Sequence, residues 1–113
     1  MQKPGREATL GEFELVVLLA VLRLGEGAYG VTILREIHKR AGRPVARGAV
    51  YITLDRLESK GYLRSSLADP TPQRGGKAKR LFHVSAQGIS AVREYRRVLV
   101  NMWQDLEPLL GKL

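Results

Sequence analysis

The pattern of apolar residues begins with a helix that is apolar nearly all round. Residues 10–24 contain strong helix formers and no helix breaker after Gly11. A helix with apolar residues on several faces must be covered on more than one side. In so small a chain we expect part of that cover to come from a second copy, and we assign Leu15 and Leu19 to the contact.

Two more helical patterns follow, over residues 30–41 and 46–60. Gly42 and Gly61 are natural C-terminal stops for them, and Pro44 keeps the intervening segment extended. The residues expected to face inward are Val31, Leu34, Ile37 and Ala41 in the second helix, and Val50, Leu54 and Leu57 in the third.

The period then changes from helical to alternating. Residues 62–67 and 80–84 read as two strands, and the prolines and glycines of residues 68–79 make the segment between them a loop. Ser85 is a suitable N-cap for a last helix that reaches about Leu109. The sequence therefore predicts a mainly α fold with a small β-hairpin: a winged helix-turn-helix over residues 1–85, and a C-terminal dimerisation helix over residues 86–113 of the same compact unit.

Charge is concentrated in the middle of the chain. The net charge of the 113 residues is +8, and residues 35–80 hold twelve Lys and Arg against four Asp and Glu. The rest of the chain holds seven of each sign. A localised basic surface suits a polyanion such as double-stranded DNA, because neutralising phosphates releases their counterions.

The outer face of the third helix suits a recognition helix. Opposite its core stripe lie small or polar residues, as entry into the major groove requires. Gly48 allows close backbone approach, Arg47 can reach a guanine edge or a phosphate, and the Tyr51 phenol can bind a phosphate oxygen. Ordinary solvent exposure of a helix face is the alternative interpretation.

The predicted hairpin tip is a cationic loop without an acid between residues 73 and 80. Its glycines, Gly75 and Gly76, allow it to follow a backbone or to enter the minor groove. Its cations are Arg74, Lys77, Lys79 and Arg80.

This combination resembles the PadR family of bacterial transcription regulators. The resemblance covers about residues 10–90 and is carried by residues 10–14, 28–30, 48–58, 60–63 and 75–85. It implies a dimeric repressor that binds an inverted-repeat operator and is released by a small molecule or a stress signal. By position, the resemblance carries DNA contacts to Arg47, Gly48, Tyr51, Arg56, Lys60, Lys77, Lys79 and Arg80.

The chain departs from the family pattern in its recognition helix and wing. The family often has Ser where Ala46 stands, Thr at Ala49, and Pro or another small residue at Ile52. Ala46 cannot cap the helix through its side chain, and Ile52 on the DNA face would contact a thymine methyl group. The tyrosines that often close the wing are Leu81 and Phe82 here, which keeps the apolar packing.

Apolar residues of the last helix form a heptad-like seam, interrupted only by Arg96. We expect this seam to pair with a second copy, which would place two recognition helices about one DNA turn apart. The seam residues are Ile89, Val92, Leu99, Trp103, Leu106 and Leu110. In relatives with a short C-terminal helix, aromatic residues near Trp103 line a pocket for planar hydrophobic effectors; plain interface core is the alternative role.

Several classes of function are disfavoured. The absence of cysteine removes disulfides and thiolate sites, and His38 and His83 do not form a metal pair, so we expect no cofactor, no metal and no enzyme. Nothing resembles a signal peptide or a membrane span, which predicts a cytoplasmic protein without a membrane partner. Two rival functions remain: a sequence-tolerant architectural DNA-binding protein, and a winged-helix protein-interaction module.

Overall fold

The computed structural model describes residues 9–68 and 79–112. The helices are α1 (Glu12–Leu24), α2 (Gly30–Ala41), α3 (Arg47–Ser59), α4 (Ala86–Trp103) and the short α5 (Glu107–Leu110), and a 3₁₀ turn, Gly25–Gly27, follows α1. The strands are β1 (Leu63–Leu67) and β2 (Arg80–Val84). This order confirms the predicted succession of three helices, a hairpin and a further helix. None of these helices is both long and apolar enough to cross a membrane.

Side chains and one left-handed glycine fix the helix ends. The Thr32 hydroxyl accepts the Tyr29 N–H (3.0 Å) and donates to the Gly27 carbonyl (2.6 Å), which holds the start of α2. At the other end Gly42 adopts φ 68°, a left-handed conformation that costs glycine little and stops the helix. The α3 helix begins after Ala46 without a side-chain cap, as the sequence predicts.

The core lies between α1, α2, α3 and the base of the hairpin. Val50, Leu54 and Leu57 are buried as predicted. In α2 the prediction is partly wrong, because Ile33 joins Ile37 as the buried pair and Ala41 is exposed. The physical reason is that α2 packs on both α1 and α3, which centres its inward face on Ile33 and Ile37, one helical turn apart. The fully buried large side chains are Leu18, Ile33, Ile37, Leu54, Leu57, Leu63, Val17 and Val50.

The hairpin is joined to the body by backbone hydrogen bonds. The two strands pair antiparallel, from Leu63 opposite Val84 to Leu67 opposite Arg80. On its other side, β2 bridges the segment before α2: Leu81 pairs with Tyr29, and the Phe82 N–H donates to the Ala28 carbonyl (2.9 Å). The base of the wing is therefore a fixed part of the domain.

The last helix is shorter than predicted. Ser85 caps α4 as expected, accepting the Gly88 N–H (3.0 Å), but the helix ends at Trp103 rather than near Leu109. Asp105 has φ 69°, and α5 starts after this break. Pro108 accounts for the stop, because it has no N–H to donate to the carbonyl of residue 104 and its ring would clash there. Leu106 and Leu110 consequently do not continue the seam of α4.

Candidate nucleic-acid interface

The outer face of α3 presents the predicted recognition residues together. Gly48, Tyr51, Ile52, Asp55, Arg56 and Ser59 are all exposed, opposite the buried stripe of the same helix. Ile52 is 61% exposed, which places an apolar side chain of this size in solvent. A Cβ added at Gly48 would meet nothing within 4 Å, so the space above this position is open to an approaching backbone.

The turn before α3 is held by a histidine that the sequence did not assign. His38 Nε2 accepts the Val45 N–H at 3.0 Å, and this contact fixes the chain just before the helix begins. Arg47 follows as the first residue of α3 and is exposed. Within residues 9–68 and 79–112, neither Arg47 nor Arg56 has an ion-pair partner, so both charges are available to a ligand.

Three elements meet at the start of α2. The Tyr51 ring of α3 lies so close to Gly30 that a Cβ there would be 2.2 Å from the ring. Next to it, the Lys79 ammonium lies 4.0 Å from the centre of the Tyr29 ring, a cation–π contact. Tyr51 and Lys79 thus flank the N-terminus of α2, where the helix dipole favours an anion. The contact between Lys79 and Tyr29 was not predicted, since it joins residues 50 positions apart.

Two of the cations predicted to contact DNA are bound to carboxylates of the protein. Lys60 Nζ lies 2.9 and 3.0 Å from the two carboxylate oxygens of Glu14, which is buried, and also donates to the Thr9 carbonyl (3.1 Å). Arg80 pairs with Asp55 (3.2 Å) and with Glu58. These pairings tie α1 and the hairpin to α3.

The Glu14–Lys60 contact helps to lower the pKa of Glu14. Burial by itself would raise the pKa of Glu14, but hydrogen bonds from the Gly11 N–H (2.8 Å) and Lys60 outweigh it. The charges of Lys60 and Arg56 act in the same direction, and the pKa lies below its ordinary value. An ionised Glu14 is therefore built into the junction of α1 with the end of α3.

The remaining wing residues of the prediction, Arg74, Gly75, Gly76 and Lys77, lie outside the described residues. Lys79 and Arg80 alone represent the predicted cationic tip in the part of the chain that the structure describes.

The residues assigned to the dimer contact fall into two groups. Leu15, Ile89, Val92 and Trp103 are half-buried, and Leu15 and Val92 pack against the chain's own core. Leu19, Leu99, Leu106 and Leu110 are exposed. The structure adds four exposed apolar side chains that the seam omitted, namely Leu22, Val98, Met102 and Leu109. A single heptad stripe does not include them, because Leu22 lies on α1, Leu109 lies on α5, and Val98 and Met102 lie beside the stripe on α4.

Fold and surface together define a winged helix-turn-helix regulator, with α2 and α3 as the helix-turn-helix and the β1–β2 hairpin as the wing. The model of the PadR-like family of transcriptional regulators matches residues 18–94, and the chain belongs to this family. It is a transcriptional regulator and not an enzyme, and regulators of this family bind DNA.

Solved structures of similar fold come from several bacteria. A PadR family regulator from Eggerthella lenta is 24% identical with a TM-score of 0.67, over 90% of this chain and 88% of that one. A PadR-like regulator from Bacillus cereus is 18% identical with a TM-score of 0.70, over 89% and 93%. One from Clostridium difficile is 18% identical with a TM-score of 0.69, over 88% and 99%. At these identities the likeness concerns the fold. Among curated proteins, no sequence matches significantly.

Proposed function

We propose that the protein is a cytoplasmic, homodimeric repressor that binds an inverted-repeat operator and is released by a small molecule or a stress signal. The observation that carries the DNA site is the outer face of α3. There Arg47 and Arg56 are free of ion pairs among the described residues, Gly48 leaves open space, and Ile52 is exposed. A face with donors, a small residue and an apolar methyl contact suits base edges in the major groove.

The dimer is supported by apolar surface that the single chain leaves uncovered. Beyond its first turns, α4 has little of the protein beneath it, and only Gly88 of its residues is buried. Met102 is 70% exposed and Leu99 43%. A groove of about 650 Å³ runs beside α4 between Leu10, Tyr95 and Leu99. An exposed apolar face of this length is typical of an interface.

Selection of duplexes from a random pool at about 150 mM salt tests the proposal, because low salt exaggerates non-specific binding. Enrichment of an inverted repeat, with half-sites about one helical turn apart, is the expected result. Sedimentation at the same salt should give a dimer. Binding without enrichment would support the architectural alternative, and no binding to any duplex would support the protein-interaction module.

Two single variants should distinguish a residue that contacts bases from one that contacts phosphates. Arg47→Ala is expected to weaken binding to the selected operator by about 1–3 kcal/mol and binding to random duplex much less. Lys79→Ala is expected to weaken both duplexes alike and to reduce the salt slope by about one phosphate contact. Fluorescence anisotropy over a salt series measures both. If the two variants lose the same affinity for both duplexes, the assignment of Arg47 to base contacts and of Lys79 to phosphate contacts is wrong.

A planar hydrophobic effector would bind at Trp103. This indole is half-buried, and its Nε1–H is shielded from solvent with no acceptor among residues 9–68 and 79–112. A buried donor without an acceptor is unfavourable, so an acceptor from a second copy or a bound molecule would stabilise the site. Titration with planar hydrophobic compounds should change the fluorescence of Trp103, the only tryptophan. Unchanged emission across such a panel, with the dimer intact, would assign Trp103 to the interface core.

A further inference from the structure

The recognition helix carries two carboxylates on the side next to the wing. The side chain of Asp55 is 68% exposed and that of Glu58 33%. Uncompensated carboxylates beside a phosphate backbone would repel it, because like charges in an interface cost affinity. A helix that enters a DNA groove with two acids on its flank therefore needs a counterion nearby.

Arg80 meets this need with all three nitrogens of its guanidinium group. Nη1 donates to Asp55 Oδ1 (3.2 Å), Nη2 donates to Glu58 Oε1, and Nε donates to the Ser65 hydroxyl (3.3 Å). The Ser65 hydroxyl in turn donates to the second oxygen of Glu58 (2.6 Å). Ser65 lies on β1 and Arg80 on β2, so the two strands of the hairpin supply these hydrogen-bond donors to the carboxylates.

This geometry leaves Arg80 poorly placed for a phosphate. The planar guanidinium group binds a phosphate with two N–H donors, and here each of its three nitrogens already donates a hydrogen bond to the protein. Lys79, the preceding residue, lies on the Tyr29 ring instead of on a carboxylate. Neighbouring cations of the wing thus have different partners, and only one of them is neutralised internally.

We propose that Arg80 promotes DNA binding by neutralising Asp55 and Glu58 as an internal counterion, and that it does not itself bind a DNA phosphate. The inference rests on the proposed function of α3 as the DNA-reading helix. Arg80 is then a positioning residue: its charge matters only as long as the two carboxylates are charged.

Four proteins test this: the natural chain, Arg80→Ala, Asp55→Asn with Glu58→Gln, and all three changes combined. Asn and Gln keep an acceptor oxygen for Arg80 but remove the negative charges. Arg80→Ala is expected to weaken duplex binding about tenfold in the natural chain, and by less than about twofold once both acids are amides. Arg47→Ala is the matched control, with the same loss in both backgrounds.

The results that would contradict the counterion role of Arg80 can be told apart. If Arg80 grips a phosphate, Arg80→Ala costs the same in both backgrounds, and each time the salt slope falls by about one. If the amide pair alone weakens binding, the neutralisation argument is wrong. Elution from immobilised heparin should show the same dependence on background, and it gives the comparison even if the natural chain binds no duplex, which would overturn the proposed function alone. Equal heparin losses in both backgrounds would overturn the counterion role.

Discussion

Replacing Gly88 with alanine is expected to lower the free energy of unfolding by about 2–3 kcal/mol, in spite of the better helix propensity of alanine. A Cβ at this position would lie 2.3 Å from the Tyr62 carbonyl oxygen and 2.7 Å from a methyl carbon of Val84. The carbonyl cannot move aside easily, because it accepts the N–H of Ser85 (3.0 Å) at the cap of α4. The substitution must therefore push the start of α4 away from the hairpin.

The matched control is Gly48→Ala, the same change in the first turn of α3, where an added Cβ meets nothing within 4 Å. It should stabilise the fold by up to about 1 kcal/mol. Thermal unfolding at fixed protein concentration, followed by circular dichroism, should place the midpoint of Gly88→Ala about 10 °C below that of the natural chain. If the two variants unfold alike, the contact of Gly88 with Tyr62 is not as tight as the structure describes.

Lys60→Met should cost about 2 kcal/mol of stability at pH 7, because the buried carboxylate of Glu14 loses its ion-pair partner and the two hydrogen bonds from Lys60 Nζ. The effect stays below that of a fully buried pair, since the Lys60 side chain is 26% exposed. Arg97→Met is the control: Arg97 pairs with Glu94 on the surface of α4, both side chains about 60% exposed (60% and 61%), and its loss should cost less than about 0.5 kcal/mol.

The pH dependence of the Lys60 variant follows from the lowered pKa of Glu14. A carboxyl whose pKa is lower in the folded than in the unfolded protein stabilises the fold above its unfolded pKa. That stability is lost as the pH falls through the folded value, which here lies below 4.5. Without Lys60, burial is less opposed and the pKa of Glu14 rises. The stability difference between the natural chain and Lys60→Met should thus be largest near pH 7 and shrink towards pH 3. Urea unfolding across this range measures it, and a constant difference would contradict the pairing.

The backbone order was largely predictable from the sequence, because each element carries local signals. The bounds of α2 and β2 agree with the predicted ranges, since Gly42 and the change of period mark them. Where the prediction of α4 is wrong, Pro108 carries the local signal for the earlier end, because proline does not suit a helix interior. Ile33 was missed for another reason. Helical periodicity gives a stripe, but which neighbours cover it depends on contacts between distant segments.

The exposed outer face of α3 was predictable for the same reason, since opposite faces of one helix follow from spacing alone. The roles of individual cations were not. The resemblance carried DNA contacts to Lys60 and Arg80, and it gave no sign that both are paired with carboxylates: Glu14 is 46 residues from Lys60, and Asp55 is 25 from Arg80. No local pattern reports such partners. Charge counted along the chain overestimates the charge that is free on the surface.

The attachment of the wing base to the body determines how such a protein can change its target. β2 is bonded to the segment before α2, and Arg80 and Ser65 bind α3, so α3 and the base of the wing form one unit, here called the head. In the proposed dimer, the distance and twist between two heads are then set by α4. Substitutions on α3 would change which bases each half-site contains, whereas a residue inserted into α4, present in both copies, would turn each head by about 100° relative to the contact between the two copies. The base sequence of each half-site and the spacing between the two half-sites can therefore evolve separately.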